Sequence, residues 1–276
     1  NNIYVTDNLG LIYSISINTG KVIWIKNHGI PFKSKIKVYE NKIFAVNQDN
    51  RILCFSIKDG LTIWNIRTIS SFIKSQNLLS LAISKQGDLI ASNSSGDLIK
   101  INTSSGEVYW SLNTLSSVLK SETDFFSSSD IVISNNKILF STKESFFSYN
   151  LNNGYADWKT NISSIGTPII YKNNIFFVTK NGFFVILDFM TGKVLSSTDI
   201  LKVLKKRHQS TKITGYIMGS GKIYAVTING YLIVSSASTG KVESFKKIGD
   251  PITSPPVISN GKLFLYTDNS KILVFN

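Results

Sequence analysis

The sequence predicts an all-β fold, a β-propeller of seven four-stranded antiparallel blades built from a repeated unit, and three observations predict it. A turn glycine recurs at Gly20, Gly60, Gly106, Gly154, Gly192 and Gly240, each between two apolar, strand-like runs. All four tryptophans, Trp24, Trp64, Trp110 and Trp158, stand four residues after such a glycine, and Ser196 and Ser244 fill that slot in the last two repeats. The glycines are spaced by 40, 46, 48, 38 and 48 residues, the interval of a four-stranded propeller blade and too long for most solenoid units.

Each interval divides into four short runs rich in Ile, Val, Phe and Tyr, separated by turn residues, the pattern of packed, pleated strands. Lettered A to D from the inner strand outward, they read in the second repeat Lys35 to Tyr39, Lys42 to Asn47, Arg51 to Ile57 and Leu61 to Ile66. B-type runs fall at 2–6, 42–47, 88–92, 137–142, 174–179, 222–227 and 262–267, each followed by a C-type run. A-type runs are found near 36, 79, 130, 168, 214 and 255, and D-type runs near 22, 62, 108, 156, 194 and 242. Seven B runs set the blade number, so the first blade is expected to lack its inner strand and the last its outer one. An open propeller leaves unpaired sheet edges. The two missing strands are therefore expected in roughly 20 to 30 residues ahead of Asn1, with Asn1 and Asn276 close in space. The whole of 1–276 is read as a single propeller domain cut short at its N-terminus.

The turns carry suitable chemistry. Asn181-Gly182, Asn229-Gly230 and Asn260-Gly261 offer the positive φ that tight hairpins require. The pairs Phe176-Phe177 and Phe183-Phe184 put an aromatic ring on each face of a strand, and a blade covered by neighbours on both faces is expected to bury both. Strand alternation sends the D-to-A and B-to-C connections to one rim and the others to the opposite rim. The Thr-Gly-Lys turn is a C-to-D connection and uniformly short. The long insertions, Arg67 to Asn77, Asn113 to Ser129 and Asp199 to Lys212, are all D-to-A connections, so recognition is expected on that rim.

Little in the sequence points to catalysis. Cys54 is the only cysteine, which excludes an internal disulfide or a cysteine cluster and reads as a small buried side chain. His28 and His208, the only histidines, lack metal-ligand spacing. Nucleophile elbow, phosphate-cradling loop and HExxH are all missing. Asp7, Asp49 and Asp268 lie in equivalent B-to-C turns, where Asp is first a turn former. The reading is of no catalytic residue, no metal site and no cofactor.

The net charge of +13 and pI near 9.6 would suit an anionic partner. Most lysines nevertheless stand singly beside turns, and no nucleic-acid partner is expected. Only Lys202 to His208 forms a basic cluster. Its segment reads as a short helix started by Ser197, Thr198 or Asp199 and ended by cations, the alternative being a docking site for an acidic partner or anionic lipid. Adjacent aromatic residues in a polar insertion, Asp124-Phe125-Phe126, and Phe72-Ile73 in the first insertion are candidates for partner contact, because the repeat does not require them there. No run approaches the roughly 18 to 20 apolar residues of a membrane span.

The motif Thr-Gly-Lys-Val-x-Trp, as in Thr19 to Trp24, resembles the pyrroloquinoline-quinone-like propeller repeat, in which the tryptophan docks against the neighbouring blade. The Ala and Asp that usually precede Thr-Gly are mostly Ser or Asn here, with Asp188 retained, which implies looser docking. Within that superfamily the chain is similar to the BamB family of outer-membrane assembly lipoproteins. The likeness lies in Asp199-Ile200-Leu201, Asn229 to Leu232, Ser254 to Val257 and Gly261-Lys262-Leu263, and in a start that looks like entry at the second strand of the first blade. That family usually has eight blades.

The resemblance implies a non-catalytic scaffold, monomeric alone, at the periplasmic face of the outer membrane. It would be held there by a lipid anchor outside this chain and would dock a BamA-type core component on inter-blade loops equivalent to Ile69 to Asn77 and Leu115 to Ser129. The acidic positions of that family's loops are largely Ser and Phe here. A quinoprotein dehydrogenase fragment is the rival enzyme reading, although the adjacent cysteine pair of those enzymes is missing. The sensor domain of a membrane receptor or kinase is a third.

Overall fold

The computed structural model describes residues 2–68, 78–114 and 128–276. These form seven antiparallel sheets of consecutive strands. The first holds β1 (Asn2–Thr6), β2 (Leu11–Ser16) and β3 (Val22–Asn27); the second β4 (Lys37–Tyr39), β5 (Lys42–Val46), β6 (Arg51–Ser56) and β7 (Thr62–Arg67); the third β8 (Leu81–Ile83), β9 (Asp88–Ser92), β10 (Asp97–Asn102) and β11 (Val108–Asn113). The fourth holds β12 (Val132–Ser134), β13 (Lys137–Ser141), β14 (Phe146–Asn150) and β15 (Ala156–Thr160), and the fifth β16 (Ile169–Tyr171), β17 (Asn174–Val178), β18 (Phe183–Asp188) and β19 (Val194–Asp199). The sixth has β20 (Ile213–Gly219), β21 (Lys222–Thr227), β22 (Tyr231–Ser236) and β23 (Val242–Lys247), and the last β24 (Val257–Ser259), β25 (Lys262–Tyr266) and β26 (Ile272–Phe275). This is a seven-bladed β-propeller fold whose first sheet lacks an A strand and whose last lacks a D strand, as the run count predicts.

The chain divides into two compact units, one of residues 1–138 with 149–155 and the other of 139–148 with 156–276. The first unit contains two apolar cores, one around Phe44, Ile52, Leu89 and Ile101 and one around Ile12, Ile43 and Phe55. The core of the second unit centres on Phe146, Phe177, Phe184, Leu187 and Ile233, with a smaller cluster around Val226, Ile252 and Leu265. In the second to sixth sheets B and C strands are largely buried on both faces, as β5, β6, β17 and β18 show, whereas β1, β25 and β26 of the first and last sheets and the D strands expose alternate residues.

The repeat turn has one geometry in all six copies. The N–H of each repeat glycine donates to the carbonyl four residues earlier, on Ser16, Ser56, Asn102, Asn150, Asp188 and Ser236, at 2.8–3.0 Å. Each glycine takes φ between 67° and 78°, a left-handed conformation that a side chain disfavours. Just beyond the turn a β-bulge interrupts the C–D pairing. In the first sheet Ser14 faces Trp24 and Ile15 faces Val22, leaving Ile23 as the extra residue; Ile63, Tyr109, Leu195 and Glu243 are its counterparts. A bulge re-aims the side chain that follows it. Ile23, Ile63, Tyr109 and Leu195 are thereby turned outward and stay about half exposed, while the tryptophan swings toward the next sheet.

There the indole meets the next repeat glycine. The indole N–H groups of Trp24, Trp64, Trp110 and Trp158 donate to the carbonyls of Ile57, Thr103, Leu151 and Phe189 at 3.1–3.3 Å. A Cβ placed on Gly60, Gly106, Gly154 or Gly192 would lie 2.4–3.1 Å from the ring of the preceding tryptophan. Docking is thus present in every copy that has a tryptophan. At the serine copy, Gly240 packs instead on Thr198 and Phe184.

Two local expectations need correction. Phe176, Phe177 and Phe184 are buried, but Phe183 is 41% exposed: it opens β18 next to the Gly182 turn and pairs with Asp199 at the end of β19, where the sheet face is no longer covered. Of the three Asn-Gly pairs, only Asn260-Gly261 has positive φ at both residues; in the others the glycine alone does. Those are longer loops, in which Thr179 N–H donates to Phe183 O and Gly182 N–H to Thr179 O.

Candidate interaction surface

The B-to-C and D-to-A connections meet at one end of each sheet. In six of the seven sheets the first residue of the B-to-C turn has a side-chain oxygen that accepts one or two backbone N–H groups further along; in the fourth, Thr142 Oγ1 instead donates to Ser145 O. Asp7 Oδ1 accepts from Leu9 and Leu11, Asn47 Oδ1 from Asp49 and Arg51, and Asn93 Oδ1 from Ser95 and Asp97. Thr179, Thr227 and Thr267 do the same through Oγ1 to Phe183, Tyr231 and Lys271. Asp7, Asp49 and Asp268 thus lie in equivalent B-to-C turns, as expected, but not at one position within them: Asp7 opens its turn, whereas Asp49 and Asp268 follow Asn47 and Thr267. Among the described residues no group of three or more His, Cys, Asp or Glu is placed to hold a metal ion.

A second glycine series completes these turns. Gly10, Gly96, Gly182 and Gly230, with Asn50 in the second sheet, lie ten residues before a repeat glycine, and all five have positive φ. The chain leaving the D strand closes onto them, with His28, Thr114, Ile200 and Ile248 N–H donating to the carbonyls of Gly10, Gly96, Gly182 and Gly230 at 2.8–2.9 Å. The ten-residue offset was readable from the sequence and is a signal the repeat analysis missed.

In the first unit these turns fasten the feet of two long insertions. Thr68 Oγ1 donates to Asn50 O at 2.6 Å and accepts from Asn93 Nδ2 at 3.0 Å. Leu79 N–H donates to Lys33 O, and Ile131 N–H to Ser80 Oγ. Thr114 binds Gly96 O through both N–H and Oγ1, and Lys35 pairs with Asp130 at 2.9 Å. Both insertions thus depart from and return to fixed points. The candidate contact residues Phe72, Ile73, Asp124, Phe125 and Phe126 lie outside the described residues.

The third insertion is helical at its centre, a 3-10 helix over Leu201–Arg207 with basic residues in its last turn. Asp199 Oδ1 accepts the N–H groups of Leu201 and Lys202, and Asp199 Oδ2 meets His208 Nε2 at 2.7 Å. Asp199 thus serves the helix start from the position before the N-cap residue Ile200, whose own side chain makes no cap bond, in a tighter helix than an α-helix and with non-helical φ/ψ at Lys205. Leu201 packs onto Gly182, where a Cβ would approach it to 2.3 Å.

Cys54 and His28 both lie among apolar neighbours of the first unit. Cys54 is fully buried, and desolvation pushes its thiol up to about 12, far from the thiolate that reactivity requires. His28 lies against Phe55, with ring centroids 4.3 Å apart, and near Phe32 at 6.1 Å. Its buried Nε2 has no partner among the described residues. Desolvation holds its pKa below the ordinary 6.5 against an opposing hydrogen bond with the Gly60 backbone, and Lys26 adds to the depression. In the pH range below 6.5 the unfolded chain then binds a proton that the folded chain refuses, so stability is lost as pH falls. Thermal unfolding between pH 7 and pH 5 is expected to show a decline in Tm that His28→Phe reduces; a decline of the same size in the variant would remove His28 as its source.

Among the described residues no helix is long and apolar enough to cross a membrane. The fold and this sparsely functionalised surface define a class, the β-propellers built from PQQ-like repeats. The family model for outer membrane protein assembly factor BamB matches residues 1–198, and the chain belongs to that family. A solved structure of BamB from Moraxella catarrhalis superposes with a TM-score of 0.81 at 13% identity, covering 99% of this chain and 81% of that one. The C-terminal WD40 domain of Sif2 superposes with a TM-score of 0.74 at 12% identity, covering 100% of this chain and 78% of that chain. The computationally designed Ika8 protein gives a TM-score of 0.58 at 12% identity, covering 100% of this chain and 93% of that one. At these identities the structural likenesses establish the fold. No curated protein matches the sequence significantly.

Proposed function

We propose that the protein is a non-catalytic interaction scaffold that assists the assembly of outer-membrane β-barrel proteins. It works in the periplasm at the inner face of the outer membrane, joined to that membrane peripherally through a lipid anchor, and its partner is the BamA-type core component of the assembly machinery. The observation that carries this reading is the family match over residues 1–198, a span that includes both long insertions of the first unit. Short C-to-D turns of one geometry and long D-to-A insertions tied down at their feet support the second part of the proposal: the partner docks on 67–77 and 113–129, with Phe72, Ile73, Asp124, Phe125 and Phe126 in contact. Rigid feet lower the ordering cost of binding, and paired aromatics are suitable anchors.

Pull-down with the core component tests this. The double variant Phe125→Ala/Phe126→Ala is expected to reduce recovery about tenfold, in line with the loss of two anchor residues, with the melting temperature unchanged. Full recovery by the folded variant would remove these residues from the contact.

A further inference from the structure

We propose that the fifth and sixth sheets carry a docking surface for an acidic polypeptide segment, formed where the third insertion meets the turn before β22 and the end of β23. The inference goes beyond the assembly role and does not depend on it. Lys202, Lys205, Lys206, Arg207, Lys212 and Lys247 are all exposed there. None is paired with a carboxylate among the described residues, although other lysines are, as in Lys222–Glu243 at 2.9 Å and Lys271–Asp250 at 3.1 Å. The carboxylate of the insertion itself, Asp199, is occupied on both oxygens by the helix start and by His208.

Neutral groups hold these cations in place. The Arg207 guanidinium donates to the hydroxyl of Tyr231, and the Lys247 ammonium lies 4.8 Å from the centroid of the same ring while donating to Asn229 O. Asn229 Nδ2 in turn donates to Ser210 O and Thr211 Oγ1, and Lys212 donates to Asn181 Oδ1 at 3.3 Å. Two like charges are thus brought to one buried tyrosine, an arrangement that repels itself until an anion enters. Phe183, 41% exposed beside Gly182, adds an apolar seat at the same end of the fifth sheet.

A lipid surface or a nucleic-acid backbone would meet the same cations through phosphate, and the experiment below separates these from a peptide. A guanidinium held in position, ammonium groups around it and an exposed aromatic ring suit carboxylate side chains interspersed with apolar ones. The geometry therefore favours a Glu- or Asp-rich stretch of polypeptide.

Fluorescence anisotropy of a labelled glutamate-rich peptide, with the whole chain at 0.15 M salt, tests the proposal. Lys206→Glu/Lys247→Glu is expected to weaken binding more than about tenfold, while Lys193→Glu/Lys241→Glu, an equal charge change on exposed Thr-Gly-Lys turns, is expected to weaken it less than about twofold. Tyr231→Phe leaves the charge intact and removes the hydroxyl that positions Arg207; about threefold weaker binding is expected. Equal losses in the two charge variants would overturn the proposal, as would absence of peptide binding, or capture of phosphatidylglycerol vesicles or single-stranded DNA in preference to the peptide.

Discussion

Trp64→Ala is expected to lower the unfolding free energy by about 3 kcal/mol, near the low end for loss of a large aromatic, because Trp64 is only partly buried. The indole carries two interactions with the next sheet, a hydrogen bond to Thr103 O at 3.1 Å and ring contact with Gly106. It also lies against Phe44 at 5.8 Å between centroids. Trp64→Phe retains most of the ring contact and loses the N–H, so it is expected to cost about 1 kcal/mol beyond a small packing loss. Urea denaturation, read as the shift in midpoint at constant slope, separates the two variants. If both variants shift the midpoint equally, the docking is governed by the hydrogen bond alone and the packing account fails.

Gly192→Ala is the complementary change and is expected to cost about 3 kcal/mol. Part is conformational: φ of 69° is about 1 kcal/mol unfavourable for a residue with a Cβ. The rest is steric, since that Cβ would lie 2.4 Å from Trp158 Cε3, and forced overpacking costs about 1–3 kcal/mol. Gly20 provides the control within the chain. Its φ is 67°, yet nothing lies within 4 Å of its Cβ direction, so Gly20→Ala is expected to cost only the conformational part, about 1 kcal/mol. In a Trp158→Ala background the cost of Gly192→Ala should fall to the same figure. Additive effects of the two substitutions would show that the residues do not interlock.

The sequence displayed its blade phase because turn, bulge and interlock impose a fixed offset on residue type. Only glycine fits where Gly60, Gly106, Gly154 and Gly192 meet an indole, and the bulge at Ile23 and its counterparts directs the tryptophan into that contact. Constraints that span sheets in space were less visible. Thr198 and Phe184 take the place of tryptophan against Gly240, a substitution with no signature in residue spacing. The exposure of Phe183 depends on where the covering sheet ends, which alternation along a strand cannot reveal. The residue that closes each B-to-C turn was also hidden, because Asp is favoured at several positions of a turn, whereas the closing oxygen comes from Asp, Asn or Thr. Convergence of Arg207 and Lys247 on Tyr231 joins positions distant in the chain and was hidden; only the local cluster Lys202 to His208 was apparent.

The recognition end of the strands is the central functional claim, and hydrogen exchange on the complex with the BamA-type core component tests it most directly. Partner binding is expected to slow amide exchange in segments 67–77 and 113–129 and to leave the Thr-Gly-Lys turns at Gly20, Gly60 and Gly106 unchanged. Protection confined to those glycine turns, with both long insertions exchanging as in the free protein, would contradict it.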